Sequence, residues 1–437
     1  MWGDRLGLSL FLVGIFITSL LSCGGNSGGD APPAHATLTQ ITLLANEHPW
    51  VQFIEQELPA FTQETGINVE IDLYPEEQFR AKRDVELLSG ISDLDLFMIM
   101  PGNSLSDYYR RQWVKSLEGY ITEPSPLFPS WSLDAFFPFA LEVSQKDGEL
   151  HAVPLLQETS LLAYNRRILD MYNLSPPQTM GHLRDVAEMV FKASNGAIYG
   201  ITLRGNGAAA TSQWSGFMHS FGGAWVDDSG QAALHSPESL AALDFYGSLL
   251  RDFGPTGATG NGWYASVSLF SRGDAAMIYD SNVFRSYYED PKTSQVAGDV
   301  GYVLLPAGPA GHIPHISHWA LAINPRSNNQ DAAWLFIQWA TSPEIMQRAQ
   351  KQGIPSAHHA SWLQSTETDA EWVEASLESY ARGDMRWNPP VTQVSEAREI
   401  VGRAIVASIL SMDIREAAQT ASGELDQLLL FQEETAQ

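Results

Sequence analysis

Thr39-Gln-Ile-Thr-Leu-Leu-Ala45, Ile67-Asn-Val-Glu-Ile-Asp-Leu73 and Asp95-Leu-Phe-Met-Ile-Met100 are three β-like runs, and the chain between them has helical spacing. In the second run Ile67, Val69, Ile71 and Leu73 alternate with polar residues, the pattern of a strand with one buried face. Between the first two, Pro49 suits the first turn of a helix, where a missing N–H costs nothing. Trp50, Ile54, Leu58 and Phe61 then recur on one face, and Gly66 stops the helix because it tolerates the left-handed conformation of a C-cap. A second helix is expected over 75–89, ending at Gly90. The order β-α-β-α-β predicts an α/β fold with a parallel sheet and right-handed crossovers. Ligands of such sheets bind beyond the carboxyl ends of the strands, which fall here at 46–50 and 100–103.

Downstream, the chain becomes irregular and aromatic from 134. His151-Ala-Val-Pro-Leu-Leu-Gln-Glu-Thr-Ser-Leu-Leu-Ala-Tyr-Asn165 follows, an extended run broken by Pro154 and carrying polar residues in its middle, as suits a strand passing from one domain to another. Helices are expected over 179–193 and 236–253, a short strand over 300–305, and helices over 330–340 and from Ser342-Pro343 to Gly353.

Cys23 is the only cysteine in 437 residues, so it forms no internal disulfide. The apolar run before it, 6–21, is shorter than the roughly 20 residues that a membrane-spanning helix needs, and Arg5 gives it a basic start. This reads as a signal peptide over 1–22. Leu20-Leu-Ser-Cys23 resembles the lipobox of bacterial lipoproteins, which implies lipidation of Cys23 and a membrane anchor; an ordinary secretory signal and an uncleaved anchor are the alternatives, and all three export the body. The segment 24–36 has the Gly, Ser, Asn, Pro and Ala composition of a flexible linker, assigned to 23–37. Gly25-Asn-Ser-Gly-Gly29 matches a hydrolase motif only literally, since a linker has no strand-to-helix elbow to expose the serine.

With 25 Lys plus Arg against 51 Asp plus Glu, the net charge is −26. A nucleic-acid binder needs cationic surface to displace phosphate counterions, so that class is set aside. So acidic a face also repels anionic lipid, which leaves membrane attachment to the lipid.

Ser317-His-Trp-Ala-Leu-Ala-Ile-Asn-Pro-Arg326 and the helices that follow it to Glu344, the crossover Ala152-Val-Pro-Leu-Leu-Gln-Glu-Thr-Ser-Leu-Leu-Ala-Tyr-Asn-Arg166, Gly273-Asp-Ala-Ala-Met-Ile-Tyr-Asp280 and Met385-Arg-Trp-Asn-Pro-Pro390 occur in consistent order. Together they resemble family 1 extracellular solute-binding proteins, the sugar and polyol receptors of ABC importers. The resemblance implies a two-lobed periplasmic-binding-protein fold with discontinuous lobes and a hinge: lobe one from 38–155 and 304–354, lobe two from 156–303 and 355–432. It also implies a carbohydrate ligand held between the lobes, hinge closure and an ABC transporter permease as partner. The protein is expected to act as a monomer, without a cofactor and without enzymatic activity. The alternatives are a secreted glycosidase, a polyamine or peptide receptor on the same scaffold, and a receptor for a sensor kinase.

A sugar presents apolar C–H faces and hydroxyls that both donate and accept, so its site needs aromatic plates together with carboxylates, amides and guanidinium groups. Trp214, Trp225, Trp263 and Trp319 stand in Gly-, Ser- or Asn-rich surroundings and are candidate plates, with core packing as the plainer role. Trp334 and Trp339 read as core, and Trp387 is left undecided. Asp280 is either a hydroxyl acceptor at a strand end or a helix cap. Of Gln157 and Glu158, alternation sends one to the cleft and the other away. Asn46 and Trp50 lie at the first strand end, where Trp50 could instead anchor the core. Arg386 is carried by the resemblance of the C-terminal element. His312, His315 and His318 are spaced H-x-x-H-x-x-H, but Pro314 disfavours the helix that would align them, so no metal is expected and His318 is taken as a possible hydrogen-bond partner of the ligand.

Overall fold

The computed structural model describes residues 39–90, 93–122, 126–364 and 369–435. The segments expected to be a signal peptide and a linker, with Cys23, lie outside them. Among the described residues no helix is long and apolar enough to cross a membrane.

The three runs form parallel strands β1 (Thr39–Asn46), β2 (Ile67–Tyr74) and β3 (Leu96–Ile99), in the order β2-β1-β3. Helix α1 (Pro49–Thr65) starts with Pro49 in its first turn, buries Trp50, Phe53, Ile54 and Phe61, and stops at Gly66, whose φ of 71° is the left-handed cap that glycine permits. Helix α2 (Glu76–Ser89) ends in the same way at Gly90.

Beyond β3 the sheet ceases to be parallel. The crossover run forms one 13-residue strand, β4 (Val153–Asn165), buried along its whole length. Three more strands complete the sheet: β5 (Met277–Ser281), β6 (Val300–Val303) and β7 (Ile316–Ile323). Strand β7 lies antiparallel between β3 and the first half of β4, while β5 and β6 pair with the second half of β4. A single strand thus joins two halves of the sheet.

Two apolar cores flank this strand. The first gathers Ile41, Trp50, Phe97, Leu155, Trp319, Phe336 and Trp372 among others. The second gathers Leu162, Leu183, Trp214, Phe217, Tyr246, Tyr279 and Ile405. Its helices include α3 (Gly207–Phe221), α4 (Pro237–Phe253), α5 (Val394–Ile409) and α6 (Ile414–Thr435). The first core also takes in Val267, Val283 and Tyr302, so apolar packing continues across β4.

Candidate functional site

At the carboxyl ends of β1 and β3 the cores leave a chamber lined by Asn46, His48, Glu76 and Met100 on one side and by Arg204, Trp387 and Arg398 on the other. Glu158, Ser281, Ser317 and Trp319 reach it from β4, β5 and β7, and Trp263 and Phe284 close it.

Two buried carboxylates dominate its polar chemistry. His48 caps α1, its Nδ1 accepting from the Trp50 N–H at 3.1 Å. That bond leaves the proton on Nε2, which donates to Glu158 Oε1 at 2.9 Å. Ser281 Oγ donates to Glu158 Oε2 at 2.7 Å. A carboxylate has about four lone-pair sites, so Glu158 retains capacity for ligand hydroxyls.

Asp280 differs. Arg204 Nε donates to its Oδ2 at 3.0 Å and Arg204 Nη2 to its Oδ1. Gln213 Nε2 donates to Oδ2 at 2.7 Å, and the Ser281 N–H to Oδ1 at 2.8 Å. Four donors saturate this carboxylate, so its work is to hold the Arg204 guanidinium at the chamber wall. Asp280 is no helix cap; Ser281 takes that part, accepting from the Val283 N–H.

Glu76 faces the guanidinium groups from α2. Burial alone would raise its pKa, but Arg80, Arg398 and Arg204 draw it down to about 2, so it stays ionised. Asn46 is buried with no partner for its Oδ1. The apolar walls are the indoles of Trp319 and Trp387 and a stack in which Trp263 lies 5.1 Å from Phe284 at 11°.

Of the residues expected from sequence, Asn46, Glu158, Trp263 and Trp319 line the chamber, and Asp280 supports it. The others lie elsewhere, each for a physical reason. Trp50 is fully buried on the inner face of α1, and Trp214 in the middle of α3 packs edge-on to Trp225 in the second core. Gln157 pairs with His318 as Glu158 pairs with Ser317, so alternation turns Gln157 and His318 to the opposite face, where His318 meets Phe139. Trp225 donates from Nε1 to the Arg386 carbonyl, and the exposed Arg386 guanidinium is taken up by Asp384. His312 donates from Nδ1 to the Leu305 carbonyl, away from His318. Among the described residues no three His, Cys, Asp or Glu side chains are placed to hold a metal.

Sequence reading missed His48, Arg204, Gln213, Ser281, Ser317 and Arg398. Only His48 carried a local signal, a capping residue before the helix-starting Pro49 at a strand end.

Two halves of one sheet meeting at a hydroxyl-compatible chamber are the architecture of a solute-binding protein. The chain belongs to the bacterial extracellular solute-binding proteins, whose family model matches residues 45–347. The erythritol/L-threitol-binding protein of Mycolicibacterium smegmatis is 28% identical over 364 residues, 77% of this chain and 76% of that one. The mannitol-binding protein of Pseudomonas aeruginosa is 30% identical over 277 residues, 61% and 63% of the two chains. A solute-binding protein of Agrobacterium radiobacter, solved in complex with ribitol, matches with a TM-score of 0.81 at 24% identity, over 89% of this chain and 98% of that one. The fold is thus that of the two-lobed α/β binding proteins of ABC transporters, an exported class.

Proposed function

We propose that this protein captures a neutral polyol or small sugar in the chamber by closure of its two lobes and delivers it to an ABC transporter permease. The observation that carries the reading is the complementary polar set on the chamber wall: acceptor capacity on Glu158, the unpartnered Asn46 Oδ1 and the Arg204 guanidinium, between the indoles of Trp319 and Trp263. Hydroxyls that donate and accept match such a set, and the indoles suit C–H faces. Asp280 and Glu76 are both paired with guanidinium groups, which favours a neutral solute over a polyamine. The same saturation argues against a glycosidase, whose acid needs a carboxyl able to give up a proton to the leaving group.

The lobes we assign are 38–155 with 304–354 and 156–303 with 355–432, β4 being the strand between them. The second core supports the return of 391–425 to lobe two, while Val267, Val283, Tyr302 and Trp372 pack with the first core. The body works as a monomer, held at the membrane by a lipid on Cys23.

Calorimetry and thermal shift with ribitol, mannitol, maltose, trehalose and spermidine test the ligand class, since a solute that binds the folded state raises the melting temperature. A carbohydrate is expected to bind; a response to spermidine alone would overturn the class, and hydrolysis of an oligosaccharide would overturn the receptor. Cys23→Ala should move the protein out of the membrane fraction with ligand affinity unchanged, and a variant that stayed membrane-bound would count against the anchor.

A further inference from the structure

The chamber does not end at Trp319. Its own free space is about 60 Å³, enough for a few water-sized groups. Past Met100 and Trp319 it adjoins a second narrow space of about 90 Å³, lined also by Asn103, Asp107, Thr392 and Val394. Those same four residues line a third cavity of about 460 Å³, within the roughly 300–1,000 Å³ of small-molecule sites. Through these shared lining residues the three spaces follow one another from Glu158 outward to the segment that follows Trp387.

This outer cavity carries its own recognition chemistry. Asn388 lines it, is 8% exposed, and has no hydrogen-bond partner for either Oδ1 or Nδ2. A buried amide with both ends unmatched is costly unless a ligand supplies a donor and an acceptor together, and a sugar hydroxyl pair does so. Around it Trp225, Pro389 and Val391 make an apolar wall, and Asn103 stands opposite at the start of the helix Pro101–Arg110. The wall fits the C–H face of a ring.

We infer that Asn388 and its cavity form a second subsite, which holds the outer unit of a two-unit carbohydrate, a disaccharide or a glycosylated alditol, whose first unit sits in the Glu158–Arg204 chamber. This rests on the carbohydrate reading above and narrows it. The inner space takes an open-chain polyol end or the edge of one ring; the outer space takes the second ring.

The test is calorimetry on the purified protein with one-unit probes (ribitol, mannitol) and two-unit probes (maltitol, maltose, trehalose). At least one two-unit probe should bind more tightly than both alditols. Asn388→Ala should weaken that probe about five- to twentyfold, the loss expected when a neutral hydrogen-bonding group is removed from a buried contact, and leave alditol binding unchanged. Asn103→Ala, on the less buried opposite wall, should weaken the same probe with the melting temperature preserved, which keeps the test valid if the first variant folds poorly. The subsite is overturned if both foldable variants bind the two-unit probe as the parent does, if they lose one-unit and two-unit probes equally, or if alditols bind and no two-unit probe does. If no carbohydrate of either length binds, the carbohydrate reading itself has failed and the subsite with it.

Discussion

Glu158 at the chamber wall and Asp280 behind Arg204 are both buried carboxylates, and the donors around each give them opposite tasks. Glu158 receives one bond on each oxygen and can take more, whereas Asp280 is filled by Arg204, Gln213 and the Ser281 N–H. Sequence showed Asp280 at the end of an apolar run but not its saturation, because Arg204 and Gln213 lie 76 and 67 residues away in the chain. His318 stands away from the chamber for a different reason: the strand period was available, but its phase relative to the cleft was not. Turned to the far face of β7, His318 is pushed by burial to a pKa of about 4, well below its ordinary 6.5. The native side chain is then neutral across the range in which the unfolded chain takes up a proton. Its contribution to stability is complete above about pH 6.5 and is lost as pH falls toward 4, amounting to roughly 2 kcal/mol at pH 5. His318→Phe should therefore flatten the decline in melting temperature between pH 7.5 and 5. His315 and His358, lowered in the same sense by burial, leave part of the slope in place. A slope identical to that of the parent would contradict this account.

At the scale of elements, the helices were the most legible parts, because their signals are local. Ser236 caps α4 by accepting from the Ser239 N–H, Thr179 caps Met180–Ala193 by accepting from the His182 N–H, and Gly66 and Gly90 close their helices in the left-handed conformation. The parallel order of β1, β2 and β3 followed from the alternation of strand and helix. The antiparallel half of the sheet was not legible, since β3 meets β7 through pairs such as Met98 with Leu321, which nothing near either strand announces. Close helix packing was equally hidden. A Cβ at Gly402 on α5 would lie 2.3 Å from the Gly207 carbonyl carbon of α3, whereas one at Gly423 on α6 would meet nothing within 4 Å. Gly402→Ala should therefore push α5 off α3 and cost about 1–3 kcal/mol, as overpacking does. Gly423→Ala should gain up to about 1 kcal/mol from helix propensity. Chemical denaturation of the pair checks the contrast. Equal effects would mean that α5 and α3 are not in close contact.

For the whole molecule, what matters is how the two cores are held across the chamber. Glu76 stands at the start of α2, which follows β2, and lies 3.7 Å from Arg398 Nη1 of α5 in the second core. Arg398 is itself fixed to the second core, since its Nε donates to the Ala208 carbonyl at 3.0 Å. On the lobe assignment proposed above, this pair spans the two lobes in the structure and would part on opening. A ligand that binds the closed form has an apparent affinity scaled by the fraction closed, so a contact present only in that form should act on affinity and little on folding. Glu76→Gln keeps the shape and removes the charge. It should weaken binding of the protein's carbohydrate up to about tenfold, which corresponds to 1.4 kcal/mol, with the smaller end of the range at high salt because the pair is not fully shielded from solvent. The melting temperature without ligand should fall modestly as well, because Arg80 on the same helix pairs with the Glu76 charge whether or not the lobes are closed. Because its guanidinium neighbours hold Glu76 at a pKa of about 2, this contribution should also be constant from pH 8 to 4.5, and the ratio of parent to variant affinity should not move over that span. Calorimetry at two pH values and two salt concentrations separates the outcomes. An unchanged affinity would remove the bridge from the closing mechanism, and a ratio that fell on acidification would show that Glu76 titrates within the working range and is not held by the three arginines.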